Sequence, residues 1–389
     1  NKVIAADNVL IHTCNSWIFE PLLPNTRTSG ILEGWKPFAK KIALWTYWKP
    51  YVGFEYPYVK SRDIMQRELQ YSRDNGIIHL FVETEGAQKR SFFQLQHFLA
   101  LKLMQNPDQP LEPLVTLFLN RYYGKAAPAM LEYLTYLEKR QQEVPAGAAG
   151  GRQWLYLDKD FYETANRLLA RAEELAADDP QALRHVHQER VPVDGSMLIL
   201  WSDLSKKFSM PERKPIIDRY EACSRETIVN TDGAKWQTKQ INTALKGLAN
   251  EVKLFRALPV PLPTQFQGKE IIDLHWKDFS PFTDHIDRCL VEEPDAICGM
   301  AFRIPNEHID VKKYHRPAIH LTPFEFGVWQ PSQRSSYTKR LKAEEIPQDE
   351  KYHWYHVGET EVLPNTIVFA HWSWMMQIYL RKAAVDIIP

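Results

Sequence analysis

Three short apolar runs in the first ninety residues constrain this chain more than any other feature: NVLIHTC (8–14), IALWTYW (42–48) and IIHLFVE (77–83). The segments between them are amphipathic, and an alternation of apolar strand with amphipathic segment is the signature of βα units laid over a parallel sheet. Between the second and third runs, VKSRDIMQRELQYSRDNG (59–76) places Ile64, Leu69 and Tyr71 near helical spacing. It closes on Asn75-Gly76, residues that tolerate the positive φ of a helix end, so this stretch reads as one complete βα unit.

After the third run the period becomes helical and stays so for about 170 residues, over 89–105, 112–123, 126–143, 159–178, 181–206, 212–228 and 233–256. Leu, Ala, Glu, Lys and Arg dominate there, with Pro or Gly at the ends. The small-residue stretch VPAGAAGGRQ (144–153) reads as a joint between two helices. The proline-rich run LPVPLPTQ (258–265) cannot be helical, because proline lacks the amide donor and clashes with the preceding turn. Beyond it EIIDLHW (270–276), AICGMAFRI (296–304), AIHLTPFEFGVWQ (318–330), KYHWYHVG (351–358) and NTIVFAHWSWMMQIYL (365–380) read as strands, the last as one sandwich strand covered on both faces. The expected organisation is multidomain, α/β plus all-β. It comprises the C-terminal strands and helices of a (β/α)₈ TIM barrel over 1–105, an α-helical domain over 106–258 and a β-sandwich over 259–389.

Composition narrows the function classes. Lys plus Arg and Asp plus Glu are 48 each, so no net field favours nucleic acid or an anionic membrane surface, and a neutral ligand fits better. Aromatics reach 12%, with 12 Trp and 17 Tyr, a supply suited both to large cores and to sugar rings lying on flat apolar faces. The four cysteines have no CxxC spacing, and only Cys289 and Cys298 are candidates to pair. No apolar run approaches the ~18 residues of a membrane helix, and no cofactor motif or signal peptide is evident. The opening at Asn1, without Met and close to a strand, leads us to expect a fragment whose remaining barrel strands come from upstream sequence.

In a barrel the catalytic side chains project from the C-terminal ends of the strands. The first strand there delivers His12, Cys14, Asn15 and Trp17, the second Trp45, Tyr47, Trp48 and Lys49, and the third Glu83 and Glu85. Glu83 and Glu85 lie two apart and so share one side of an extended backbone. Like charges that close raise one another's proton affinity, which suits acid/base work or a grip on sugar hydroxyls. They are the candidate catalytic residues, with loop carboxylates capping the next helix as the plain alternative. Asn15, Trp17, Tyr47 and Trp48 are the candidate substrate-binding residues, and Trp45 is expected to pack in the core. Glycoside hydrolysis needs two carboxylates, so the principal acid is expected upstream if it is not in this pair. His185, His187 and Glu189 in RHVHQER diverge on a helix and are expected on a solvated face, not on a metal. DLHWKD (273–278) and AHWSW (370–374) are expected to fill the sandwich core.

The stretches LWTYWKPYVGFEYPYV (44–59), RDIMQRELQYSRDNG (62–76), GIIHLFVETEG (76–86) and the segment from Phe92 to Leu134 resemble the bacterial domain of unknown function 4838. The resemblance extends roughly over residues 1–250, and its most specific element is RYYGKAA (121–127). It implies a glycoside-hydrolase-like (β/α)₈ barrel, similar to those of α-glucuronidases and β-hexosaminidases, with a helical extension behind it. It also implies a carbohydrate substrate and a secreted, periplasmic or surface location. The hexosaminidase-like acidic pair would lie on a middle strand, upstream of this chain. The alternative expectation is a non-catalytic glycan-binding or structural module of a larger surface protein.

Overall fold

The computed structural model describes residues 4–14, 21–48, 56–83, 90–144, 154–205, 207–230 and 238–256, then the strand residues 290–292, 300–302, 324–330, 335–341, 366–370 and 377–380 with residue 345. The chain forms two compact units, Asn1–Gln237 and Thr238–Pro389.

In the first unit, strands β1 (Ile11–Cys14), β2 (Ile42–Tyr47) and β3 (Ile77–Glu83) form a parallel sheet in sequence order. Helices α1 (Arg27–Trp35) and α2 (Arg62–Asp74) make the crossovers. Each strand lies inside one of the three apolar runs, as their alternation predicts. Helix α1 carries no strong apolar period; its start is written in a capping box, where the Thr26 hydroxyl accepts from the Ser29 amide and the Ser29 hydroxyl from the Thr26 amide. Helix α2 buries Met65, Glu68, Leu69 and Ser72 and stops at Gly76, whose φ of 70° only glycine adopts cheaply.

The sheet has two unlike faces. Ile42 and Leu44 pack with Leu22 and Leu32 under the helices, joined by Tyr71, Ile77 and Leu80. The register aligns the opposite face in layers, His12–Ala43–His79, Cys14–Trp45–Phe81 and then Tyr47–Glu83. A bulge at Ile42/Ala43 pairs Ile42 with Ile77 but Ala43 with His79. It brings His79, Phe81 and Glu83 into line with the outward residues of β2.

Helices α3 (Phe93–Gln105), α4 (Leu111–Tyr123), α5 (Ala127–Gln141), α6 (Lys159–Ala176), α7 (Pro180–Ile199), α8 (Trp201–Ser205) and α9 (Arg213–Val229) follow, matching the predicted helical run except that the stretch 181–206 is two helices, α7 and α8. Helix α7 is buried on every side from Glu189 to Leu198 and packs against α6 and α9. Its Gly195 permits this: a Cβ there would stand 2.9 Å from Cε2 of the buried Tyr220 on α9.

The helices also hold the connection after β2. Gln141 of α5 donates to the Val59 carbonyl (2.9 Å) and accepts from its amide (3.1 Å). Gln96 of α3 accepts from the Lys60 amide (3.0 Å), Glu138 from the Arg62 amide (2.9 Å), and the Tyr156 hydroxyl donates to the Pro57 carbonyl. Sheet and helical layer lie together in this compact unit.

The second unit has helix α10 (Thr238–Arg256), an antiparallel pair β4 (Leu290–Glu292) and β5 (Met300–Phe302), and an antiparallel sheet in the order β7-β6-β8-β9. Its members are β6 (Phe324–Gln330), β7 (Ser335–Leu341), β8 (Thr366–Ala370) and β9 (Gln377–Leu380). The run 365–380, read as one covered strand, is two strands paired from Thr366↔Leu380 to Phe369↔Gln377. Its apolar continuity comes from adding two strands end to end. EIIDLHW, KYHWYHVG and residues 371–374 of AHWSW lie outside the described residues, as do Cys289 and Cys298.

Candidate functional site at the strand ends

The C-terminal ends of β1, β2 and β3 bring Cys14, Tyr47 and Glu83 onto one face of the sheet. Glu83, a candidate catalytic residue, accepts a hydrogen bond from the indole Nε1 of Trp45 at 3.2 Å. Trp45 thus does more than fill a core. Its half-exposed ring meets Phe81 edge-on at 4.9 Å and lies 6.0 to 6.1 Å from His12 and Tyr47. Phe81, 43% exposed, and the exposed His12 and His79 extend this aromatic surface down the sheet. The His12 and His79 rings stand 6.3 Å apart across the small Ala43.

Tyr47 is half-buried, and its hydroxyl lies 3.5 Å from the Cys14 sulfur. That contact, then burial and the nearby Cys14 and Glu83 charges, pushes the phenol up to about 12. The group is a neutral donor at ordinary pH. Trp48, expected as a sugar platform, is instead buried, 2% exposed. Its amide donates to the Glu83 carbonyl at 3.2 Å, and its carbonyl accepts from Gln96 at 3.4 Å, so the residue closes the strand end rather than presenting a free ring. Asn15, Trp17, Lys49 and Glu85 lie outside the described residues.

Beneath the strand ends, the buried Glu68 of α2 ties two connections together. One oxygen accepts from the Leu22 amide (2.8 Å) after β1, and the other pairs with Lys60 (2.9 Å) after β2; both side chains are 5% exposed. An ion pair that buried survives only with good geometry and its remaining lone pairs engaged. The sequence shows Glu68 only as a polar member of an amphipathic helix.

RHVHQER is not on a solvated face. His185 and Glu189 are buried on α7, and His187, like Arg184 and Gln188, reaches partway out, with its Nδ1 2.6 Å from Glu226. From Glu189 on the helix is covered on all sides, so its polar residues there point into the unit, which sequence period cannot show. Among the described residues no group of three or more His, Cys, Asp or Glu side chains is arranged to hold a metal, and no helix is long and apolar enough to cross a membrane.

A parallel sheet with helices on one face and its polar and aromatic residues on the other defines the first unit as an α/β protein. Residues 1–135 match the family model of a domain of unknown function, DUF4838. The matched stretch holds the three strands, the strand-end residues and RYYGKAA, and it ends inside α5, short of the residue 250 to which the resemblance extends. No curated protein matches the chain. A solved structure similar to it is that of a GH138 enzyme targeting pectin rhamnogalacturonan II, at 11% identity and a TM-score of 0.28, over 98% of this chain and 62% of that one. The chain thus spans less than two thirds of that structure's length.

Proposed function

We propose that the open face of β1–β3 is the ligand-facing wall of a (β/α)₈-type barrel in a glycoside-hydrolase-like protein acting on glycans or polysaccharides. The observation that carries this reading is the layered face itself, ending at the C-terminal edge in a carboxylate held by an indole beside a neutral phenol. Strand C-terminal ends are where barrel enzymes place their chemistry. Aromatic rings with a polar handle are what a sugar's apolar face and hydroxyls require. In this role Glu83 grips a sugar hydroxyl or serves as one of two acid/base carboxylates. The Trp45 N–H orients it, and Tyr47 donates to the substrate. Glu85, two residues on, or a carboxylate from outside this chain supplies the second group. The substrate implies a secreted, periplasmic or surface location, and the antiparallel strands of the second unit fit an appended β-sandwich.

The test is hydrolysis of a panel of aryl-glycosides and oligosaccharides by the full-length protein and its Glu83→Gln and Trp45→Phe variants. Glu83→Gln should abolish or severely reduce turnover without lowering the melting temperature. Trp45→Phe, which keeps the ring and removes the donor, should reduce it less. Unchanged turnover in Glu83→Gln would remove that residue from the site. Glycan binding without hydrolysis by the wild type would establish a binding module instead.

A further inference from the structure

The RYYGKAA run and the buried carboxyl of Glu189 meet at one place, the start of α3. Phe92, the residue before that helix, has a φ of 51°, the left-handed region that a bulky side chain enters at a cost of about 1 kcal/mol or more. It has no capping side chain of its own. Its amide instead donates to both oxygens of Glu189, at 2.9 and 3.1 Å, from 97 positions away in sequence. The hydroxyl of Tyr123 donates to the same carboxyl at 3.0 Å, and the Phe92 ring packs against Tyr123 and Tyr133. Next to it Tyr122 stacks on His185 at 3.6 Å and 6°, and its hydroxyl donates to Gln188 at 3.0 Å. Gly124, at φ 52°, turns the chain past the Asp179 cap of α7, and Lys125 pairs with Asp178. Residues 122–125 therefore grip the first three turns of α7, and α7 returns Glu189 to α3.

Glu189 is 2% exposed, and among the described residues no Lys or Arg pairs with it. A well-packed apolar side chain would cost less in such a place, so what the carboxyl contributes is position. The position matters because of what α3 holds. Gln96, one turn into α3, donates to the Trp48 carbonyl at 3.4 Å, and the Trp48 amide holds the Glu83 carbonyl at 3.2 Å.

We propose that Tyr123 and Glu189 form a clamp that fixes the start of α3 and thereby, through Gln96 and Trp48, positions Glu83 at the strand-end site. Glu189 is thus a positioning residue, not a catalytic one. The inference rests on the strand-end site being the functional one, and the experiment separates the two.

In the full-length protein, Glu189→Leu removes the acceptor, Glu189→Gln keeps one, and Tyr123→Phe removes one donor while leaving the ring. Amide hydrogen exchange and steady-state kinetics on a glycan whose turnover Glu83→Gln abolishes are measured for each. Glu189→Leu should speed exchange across residues 90–96 about tenfold or more while α6 and α9 stay protected. It should also lower kcat about tenfold or more with little change in KM. Glu189→Gln should restore both toward wild type, and Tyr123→Phe should speed exchange in the same residues to a smaller extent. Faster exchange spread evenly over α6, α7 and α9 would mean that Glu189 serves folding alone and would overturn the clamp. So would an unchanged kcat in Glu189→Leu, or unchanged exchange at 90–96 in Tyr123→Phe should the leucine variant not fold. A wild type inert on every glycan would sink the strand-end reading, and the exchange pattern would still decide whether Glu189 sets the start of α3.

Discussion

Replacing Glu189 with Gln should change how the stability of the first unit depends on pH. Burial pushes the Glu189 carboxyl up to about 8, against hydrogen bonds from the Phe92 amide and the Tyr123 hydroxyl that pull it down. In the unfolded chain a glutamate titrates near 4.5. Between these two values the folded protein keeps a proton that the unfolded chain has released, so stability falls as pH rises through this window. The stabilising contribution is fully present below 4.5, declines by up to about 1.4 kcal/mol per pH unit, and is gone above 8. Over the whole window this amounts to roughly 5 kcal/mol, comparable to the net stability of many domains. Glu189→Gln carries no titrating proton and should lack that slope. Urea unfolding followed by circular dichroism, at pH values spanning the window, gives the difference between wild type and variant. Asp194, also raised by burial, is common to both proteins and cancels. The variant should gain on the wild type steadily with pH and surpass it by pH 8. Parallel stability curves across the window would show that the folded carboxyl is ionised throughout, and the burial argument would be refuted.

Three further substitutions test the packing. Gly195→Ala forces a Cβ to 2.9 Å from the buried Tyr220 ring and should cost about 1–3 kcal/mol despite alanine's better helix propensity; a rise in melting temperature would contradict the close approach. Lys60→Met leaves the Glu68 carboxylate buried without its partner and should cost about 3–5 kcal/mol. Adding Glu68→Gln, which still accepts from the Leu22 amide, should recover part of that loss, and denaturant midpoints of the single and double variants give the comparison. Thr26→Ala removes the capping box of α1 and should cost about 0.5–2 kcal/mol in the same assay, whereas Thr26→Ser should be nearly neutral.

What the sequence reveals about this molecule depends on whether a residue's surroundings are local. The three strands are legible because each is a short run rich in β-branched and aromatic residues, although only β2 is largely buried, and α2 because its apolar stripe ends at Asn75-Gly76. Helix α1 hides behind weak patterning, although Thr26 and Ser29 hold its start in plain view. At the site, Glu83 and Tyr47 reach the strand ends as their positions predict. Trp48 departs from expectation because its burial comes from elements not adjacent to it, among them α3 through Gln96. Glu189 is the clearest case. Within RHVHQER it looks like any polar residue on a helix, and its role exists only because residues near 92 and 123 converge on it. The same convergence gives RYYGKAA a physical meaning. Its tyrosines face inward, one stacked on His185 and one bonded to Glu189, so a change there should disturb the helix that follows β3 before it disturbs any ligand contact. The run need not line a ligand pocket to matter; here one of its tyrosines reaches the start of α3 through Glu189.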